Sequence, residues 1–468
     1  MKAHKDMAGY YDSLAEKRDR FRRKYSYYYE QQEKRYRFYI PEGKRVLEVG
    51  CSTGYLLNAL RPSYGVGVDI SGRSIALARK NFPSLVFFQG GIEAVPDGEV
   101  FDYVVLSGLL GELPDVQDFF LKLRRVCGRD TRIVIEYYSL FWQYILGFAE
   151  RLGMKMPDGM QNWLTYRDIK NFLSLTGFDV VKSGKDMLLP LNIPLISPLF
   201  NRILARLPFL NALTLNHFIV ARPLVGIREE MSVTILVPCR NEKGNIEQAI
   251  TRTPMFGRHQ EFIFVEGWSK DGTYEEVERI IKAYPAKDIK LFKQPGKGKA
   301  DAVHFGFDKA GGDVLMILDA DLTVPPEDLP KFYDAISRDK GEFINGCRLV
   351  YPMEDDAMRF LNHVANKFFG LFFSWLLGQR YKDTLCGTKV IMRHHYRELV
   401  AGRAYFGDFD PFGDFDLIFG ANKLSLKMME VPVRYKNRTY GETQIQRFRH
   451  GLLLFKMCGF AMRKVKFI

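Results

Sequence analysis

Apolar residues in this chain come in short unbroken runs that end on glycine or on an acid. Residues 45–60, "RVLEVGCSTGYLLNAL", read as a strand, a glycine turn and the opening of a helix. Residues 233–250, "VTILVPCRNEKGNIEQAI", start the same pattern again. Further runs suit buried strands: "GVGVDI", "FDYVVLS", "RIVIEYYS" and "HFIVA" in the first half, "EFIFVE" and "VLMIL" in the second. Short apolar runs alternating with helical stretches predict α/β architecture with mainly parallel sheets, once in each half. The polar joint at 224–231 divides a domain 1–225 from a domain 232–468. The halves do not repeat one another in sequence.

One run stops abruptly. "VLMILDADLTVPPEDL" (314–329) is a buried strand that ends in Asp319 and Asp321 and is closed by two prolines. Aspartate is costly to bury unless it is paired or binds a cation. Two other runs in that half also end on acids. Asn241 and Glu242 follow the first strand, Glu266 tips the second, and a Gly/Lys loop (293–299) precedes the run with the aspartates. Ligands of open parallel sheets bind beyond the carboxyl ends of the strands. The carboxylates should therefore meet at one site. Two aspartates at i and i+2 are hard oxygen donors suited to magnesium or manganese.

The first half carries a different turn. Gly50 to Gly54 follows a buried strand, and Asp69 ends the next, about 19 residues after Gly50. A carboxylate at that distance suits ribose hydroxyls.

Length and composition add bounds. A chain of 468 residues, 47% hydrophobic and 26% charged, suits two or three globular domains. The net charge of +13 fits phosphorylated substrates, nucleic acid or an anionic membrane, and selects none of them. From Arg434 onward there are about nine Lys/Arg and one acid, Glu442. The six cysteines are scattered without metal-site or redox spacing, and the N-terminus has no apolar signal core. Both point to a reducing, cytoplasmic setting. No apolar run reaches the roughly 18 residues of a membrane span. "FFGLFFSWLLG" (368–378) is either a core helix or, together with the basic tail, a peripheral contact with an anionic membrane at the inner face. Basic and aromatic residues interleave at 21–39. No nucleic-acid-binding module follows, so a lid helix is expected there and no nucleic acid partner.

The segment "VLEVGCSTG" with Asp69 resembles the first motifs of Rossmann-like, S-adenosylmethionine (SAM) dependent methyltransferases, over roughly residues 40–140. The resemblance implies SAM as cofactor. Gly50, Cys51 and Gly54 would lie along its methionine and ribose, Glu48 beneath the turn and Asp69 on the ribose. Gly91 stands where the family often has an acid for the adenine amine, with Ile92 and Glu93 following. A methyl acceptor needs a base or an anionic nucleophile. Glu112 is a candidate by position, or else a solvated loop acid.

The ordered segments of the second half resemble the family 2 glycosyltransferases of the GT-A fold, dolichol-phosphate mannose synthase-like members above all. "NGCRLV", "YKDTLCGTKVI" and residues 413–445 have counterparts there in the same order. The resemblance implies an inverting transfer of sugar from a nucleoside-diphosphate sugar to a polyprenyl phosphate or glycan acceptor. Pro238, Asn241, Glu242, Glu266 and Lys299 would face the donor, and Asp319 and Asp321 the Mg or Mn ion. Arg348 and Arg438 would contact phosphate, and Asp416 would be the base. "TYGETQI" (439–445) and "QIQRF" (444–448) resemble acceptor-side motifs. Two alternatives stay open: a SAM-binding half that only regulates, and a nucleic-acid methyltransferase with an accessory domain.

Overall fold

The computed structural model describes residues 7–157, 161–351, 360–405, 414–438, 440 and 456–467. The chain divides into two units between Leu224 and Val225. Each is an α/β unit around a seven-stranded, mostly parallel sheet.

In unit 1 the strands are β1 (Arg45–Val49), β2 (Tyr64–Asp69), β3 (Val86–Gln89), β4 (Phe101–Ser107), β5 (Cys127–Tyr138), β6 (Phe178–Asp186) and β7 (Asn216–Pro223). Their order is β3-β2-β1-β4-β5-β7-β6. The pairs from β3 to β5 are parallel, and β7 runs antiparallel between β5 and β6. β1 is central because Val46 and Leu47 are fully buried, one on each side of the sheet. Register places Glu48 between Gly67 and Val105, at the carboxyl end of the sheet. Two helices precede β1: α1 (Met7–Lys24) and α2 (Ser26–Tyr39).

In unit 2 the strands are β8 (Ser232–Cys239), β9 (His259–Glu266), β10 (Asp288–Lys293), β11 (Val314–Ile317), β12 (Phe343–Cys347), β13 (Lys389–Met392) and β14 (Met428–Pro432). The order is β10-β9-β8-β11-β13-β12-β14, with β13 antiparallel to both neighbours. Apolar clusters cover both faces. The helix Phe360–Leu377 supplies Phe369, Phe373, Leu376 and Leu377 to one of them, while Phe368 and Leu371 are exposed. Among the described residues, no helix is long and apolar enough to cross a membrane. All six cysteines are free.

The sheet explains why the run at 314 stops where it does. Leu318 N–H donates to Leu236 O (2.9 Å), the last rung of the ladder there. Asp319 and Asp321 then project past the strand into a turn closed by Leu322 N–H to Asp319 O (3.1 Å). Leu322 adopts φ +51°, a left-handed conformation that costs a leucine about 1–2 kcal/mol.

Candidate active sites

In unit 1 a pocket of about 640 Å³ opens at the carboxyl ends of β1, β2, β4 and β5. Glu48, Gly50, Cys51, Asp69, Ile92 and Glu93 all line it, as does Glu112. Gly54 lies behind the wall. Its φ is +78°, and a Cβ there would come 2.8 Å from the Phe87 ring, so both backbone and packing require glycine. Asp69 ties the turn together. Its Oδ2 accepts from Ser52 N–H (2.8 Å) and its Oδ1 from Ser71 N–H (2.9 Å). An ionised carboxylate has about four acceptor sites, so each oxygen keeps capacity for a ligand hydroxyl. Glu93 folds back over Gly91: a Cβ on Gly91 would meet its carboxylate oxygens at 2.7 Å. The carboxylate of Glu93 thus lies beside position 91.

Glu48 is buried, and its Oε2 has no hydrogen-bond partner among the described residues. Burial pushes its carboxyl up to about 8, against a backbone N–H from Leu57. A buried carboxylate oxygen left open beside a glycine turn suits a ligand ammonium group.

The helices α1 and α2 roof this pocket with Tyr11, Arg18, Arg22, Tyr28, Tyr29 and Gln32. Asp12 fastens α1: its Oδ1 accepts from Ser71 Oγ (2.6 Å) and Arg73 N–H (2.9 Å). Thr53 Oγ1 donates to Asp19 (3.1 Å). The basic-aromatic stretch is therefore a lid on the pocket.

One buried group in the pocket wall has no motif to announce it. Glu136, on β5, accepts from Gln32 Nε2 (2.7 Å) on α2 and from Asn216 Nδ2 (2.6 Å) on β7. Burial raises its pKa, opposed by Arg35 and by those donors. It is placed to accept a hydrogen bond or a proton from a hydroxyl or amine. The only sequence signal is an acid inside an apolar strand, which burial would penalise without such partners.

In unit 2 the predicted carboxylates do converge. β8 and β9 run in register, Cys239 opposite Glu266 and Pro238 opposite Val265. Asn241, at φ +55°, accepts from Lys270 N–H through Oδ1 (2.9 Å) and so pins the β8 turn to the β9 turn. Glu266 is buried and accepts from Ser269 N–H. Asp321 Oδ2 accepts from Arg438 Nη2 (2.6 Å), and Arg438 Nη1 reaches Glu242 Oε1 (3.5 Å). Thr323 caps the turn on Asp321 Oδ1 with N–H and Oγ1 (3.2 and 2.9 Å). Lys299 Nζ lies 2.6 Å from Asp319 Oδ1. Gly387 packs against that pair so closely that a Cβ would fall 1.8 Å from Asp319 Oδ2.

Charge in this site is finely set. Burial raises Glu242 to about 7, Arg438 and Asn245 pull it down, and Asp321 and Asp271 push it up. Burial also opposes ionisation of Asp319, but Lys299, Lys389 and Arg348 outweigh it and hold its pKa low. The arrangement is a pair of carboxylates that already hold cations, Lys299 and Arg438, beside a third acid near neutrality.

Two predicted residues stand in other company. Arg348 commits Nε and Nη2 to the two oxygens of Asp383, both at 2.8 Å, and lies over Tyr435. Asp416 is buried, with Arg403 Nε at 3.0 Å and His304 Nε2 at 3.1 Å. Burial raises its pKa, but His304 and Arg403 win and the net shift is downward. His304 sits on the helix Lys299–Lys309, whose first residue holds Asp319, so one helix links the two clusters. Of the acceptor-side motif only Tyr440 is described; its hydroxyl donates to Asp271 Oδ2 (3.2 Å). The rest of "TYGETQI", and all of "QIQRF", lie outside the described residues.

Comparison with known proteins adds the following. The family model described as a methyltransferase domain matches residues 21–183, and that described as glycosyl transferase family 2 matches residues 234–399. A dolichol-phosphate mannosyltransferase of Pyrococcus furiosus is 30% identical over 251 residues, covering 51% of this chain and 67% of that protein. Its namesake from Saccharomyces cerevisiae is 34% identical over 109 residues, covering 22% of this chain and 40% of that protein. Among solved structures, a SAM-dependent methyltransferase from Thermotoga maritima, described as a possible histamine N-methyltransferase, matches 47% of this chain and 99% of its own. Identity is 15% and the TM-score 0.36. Magnesium protoporphyrin IX methyltransferase from Synechocystis, with bound SAH, matches 38% of this chain and 74% of its own at 16% identity and TM-score 0.27.

Proposed function

The chain belongs to glycosyl transferase family 2 through its second unit, and from that premise we propose that this unit transfers a sugar from a nucleoside-diphosphate sugar to a polyprenyl phosphate. A phosphate oxygen of the acceptor attacks the anomeric carbon. The bond from that carbon to the diphosphate breaks, and the nucleoside diphosphate leaves with the electron pair. No proton has to move.

The observation that carries the choice of acceptor is the state of Asp416. A base must be able to take a proton, and a carboxylate held ionised by Arg403 and His304 is a weak one. A sugar hydroxyl would need that base. A phosphate, already anionic, does not. In this reading Asp416 orients the helix Lys299–Lys309 through His304, and Arg438 and Lys299 meet phosphate oxygens, where charge-assisted donors are strongest. Arg348, fastened by Asp383, supports the site from behind.

The donor set fits a divalent cation. The guanidinium of Arg438, bridged by Asp321 and Glu242, occupies a place that selects positive charge. Asp319 and Asp321 would hold magnesium or manganese, which would neutralise charge developing on the leaving diphosphate.

The first unit is a methyltransferase domain, and our reading gives it SAM as cofactor. Asp69 would hold the ribose, Glu48 Oε2 would meet the ammonium group, and Glu93 would approach the adenine. The support is the fit of the pocket to these roles. A SAM titration by calorimetry tests it; no heat and no shift in melting would refute it.

For the acceptor, the test compares Asp416→Asn and Arg438→Ala on a short-chain polyprenyl phosphate. Asp416→Asn should lose only a few-fold in rate, and Arg438→Ala about 10² or more. A loss near 10² in Asp416→Asn, or transfer by wild type to an oligosaccharide alone, would overturn the choice.

A further inference from the structure

More than half of the exposed large hydrophobic side chains among the described residues fall in two stretches of unit 1, residues 140–154 and 191–213. Both stretches leave the same corner of the sheet. The first follows β5, and the second lies between β6 and β7. Tyr138 pairs with Asn216, and Asn216 with Asp186. Ser139 N–H donates to Leu215 O (2.8 Å) and Trp142 Nε1 to Leu213 O (2.9 Å), which ties the stretches together.

Ala205 apart, neither stretch gives an apolar residue to the core. The helix Gln143–Arg151 has no buried residue at all. Tyr144, Phe148 and Leu152 stand at i, i+4 and i+8, so they share one side, and they are 85%, 63% and 58% exposed. Prolines at 194, 198 and 208 interrupt the second stretch, whose helical turns are Ile196–Pro198, Leu199–Ile203, Leu204–Arg206 and Leu210–Leu213. None is long enough to cross a bilayer. Leu195 pays for φ +66° yet stands 88% exposed, and Phe209 is 93% exposed. A concentration of exposed apolar side chains of this kind marks a binding face.

The charges choose the occupant. From Met187 to His217 there is no Asp or Glu. Arg202 is exposed there, and Arg206 pairs with Asp186. In the first stretch Glu150 is matched by Arg151, and Lys155 follows directly after it. Apolar and aromatic side chains on a short amphipathic helix, with arginine and lysine beside them, have the make-up of an in-plane anchor on anionic lipid.

We propose that these two stretches form a docking surface for an anionic bilayer, lying in its interface without spanning it. Tyr138 and Met156, at the edges of the first stretch, also line the unit 1 pocket, so docking would hold that pocket at the lipid face. The inference goes beyond the proposed transfer reactions and uses no residue assigned to them.

The test is flotation of the full chain with vesicles of phosphatidylcholine alone and with a third of it replaced by phosphatidylglycerol. Wild type should float with the anionic vesicles, less with the neutral ones, and less as salt rises. Phe148→Ser combined with Phe209→Ser should weaken binding by at least about tenfold. Arg202→Glu should weaken it severalfold on anionic vesicles only. Unchanged circular dichroism and melting would show the variants folded, which the exposure of these side chains predicts. Failure of wild type to float, or equal flotation of the double variant, would overturn the proposal. So would a wild-type dimer in sedimentation that the double variant converts to monomer, which would assign the face to a second copy of the chain.

Discussion

Glu48 and Gly387 are the positions where single atoms are most constrained. The ordinary carboxyl value for Glu48 is 4.5, and burial raises it to about 8 in the fold. The folded state therefore holds this proton more tightly than the unfolded state. The stability that follows is fully present below about pH 4.5 and is lost as pH rises through about 8. Ligand-free wild type should melt at a lower temperature at pH 9 than at pH 6. Glu48→Gln, neutral throughout, should remove a large part of that drop, roughly a few kcal/mol at pH 9; a variant that falls as steeply as wild type would contradict the assignment. Gly387→Ala tests the other site without touching its charges. The added methyl must displace Asp319 Oδ2 or Lys299 Nζ. A shift of about 1 Å in a reacting constellation costs on the order of 10² in rate. Transfer should fall by about that factor while the far-ultraviolet spectrum is kept, and full activity would show that the Asp319–Lys299 pair is not used. Glu242, at about 7, adds a pH signature. Manganese affinity should rise between pH 6 and 8 as this acid ionises, and Glu242→Gln should flatten the rise.

The elements that carry chemistry here are strand ends, and strand ends are where the sequence was most readable. "VLMILDADL" announces itself because an apolar run and two acids are adjacent in sequence, so one β-strand delivers both the buried ladder and the exposed carboxylates. The turn from Gly50 to Gly54 is readable for the same local reason. Glu136 was not, because its partners Gln32 and Asn216 come from α2 and β7 and only the fold brings them together. The pairing of Arg348 with Asp383 and of Asp416 with Arg403 and His304 was hidden likewise: a motif specifies a residue type and not the neighbour that will neutralise it. Antiparallel β7 and β13, inserted into otherwise parallel sheets, leave no trace in apolar periodicity. The lid was legible as a helix with mixed faces, but its fastening by Asp12 was not. Asp12→Ala removes the acceptor that holds α1 to Ser71 and Arg73. SAM affinity should fall several-fold through faster dissociation, with melting little changed; an unchanged dissociation rate would mean that α1 does not gate the pocket.

At the scale of the whole chain, each unit has its own seven-stranded sheet, and among the described residues the acids at each sheet's carboxyl edge come from that unit's own strands and turns. The two chemistries should then be separable. Asp321→Ala should abolish sugar-nucleotide turnover and leave SAM affinity within a factor of two or so; a tenfold fall, about 1.4 kcal/mol, would mean that the units are coupled. The claim on which the account rests is that the second unit moves a sugar onto a phosphate. The most direct measurement offers a panel of radiolabelled nucleoside-diphosphate sugars, with manganese, to the purified chain and a short-chain polyprenyl phosphate, and counts label in the lipid-extractable product. The account predicts label from one donor, lost in Asp319→Asn and in Asp321→Asn and abolished by a metal chelator. No transfer to the phosphate from any donor, with transfer from the same panel to a sugar hydroxyl, would contradict it.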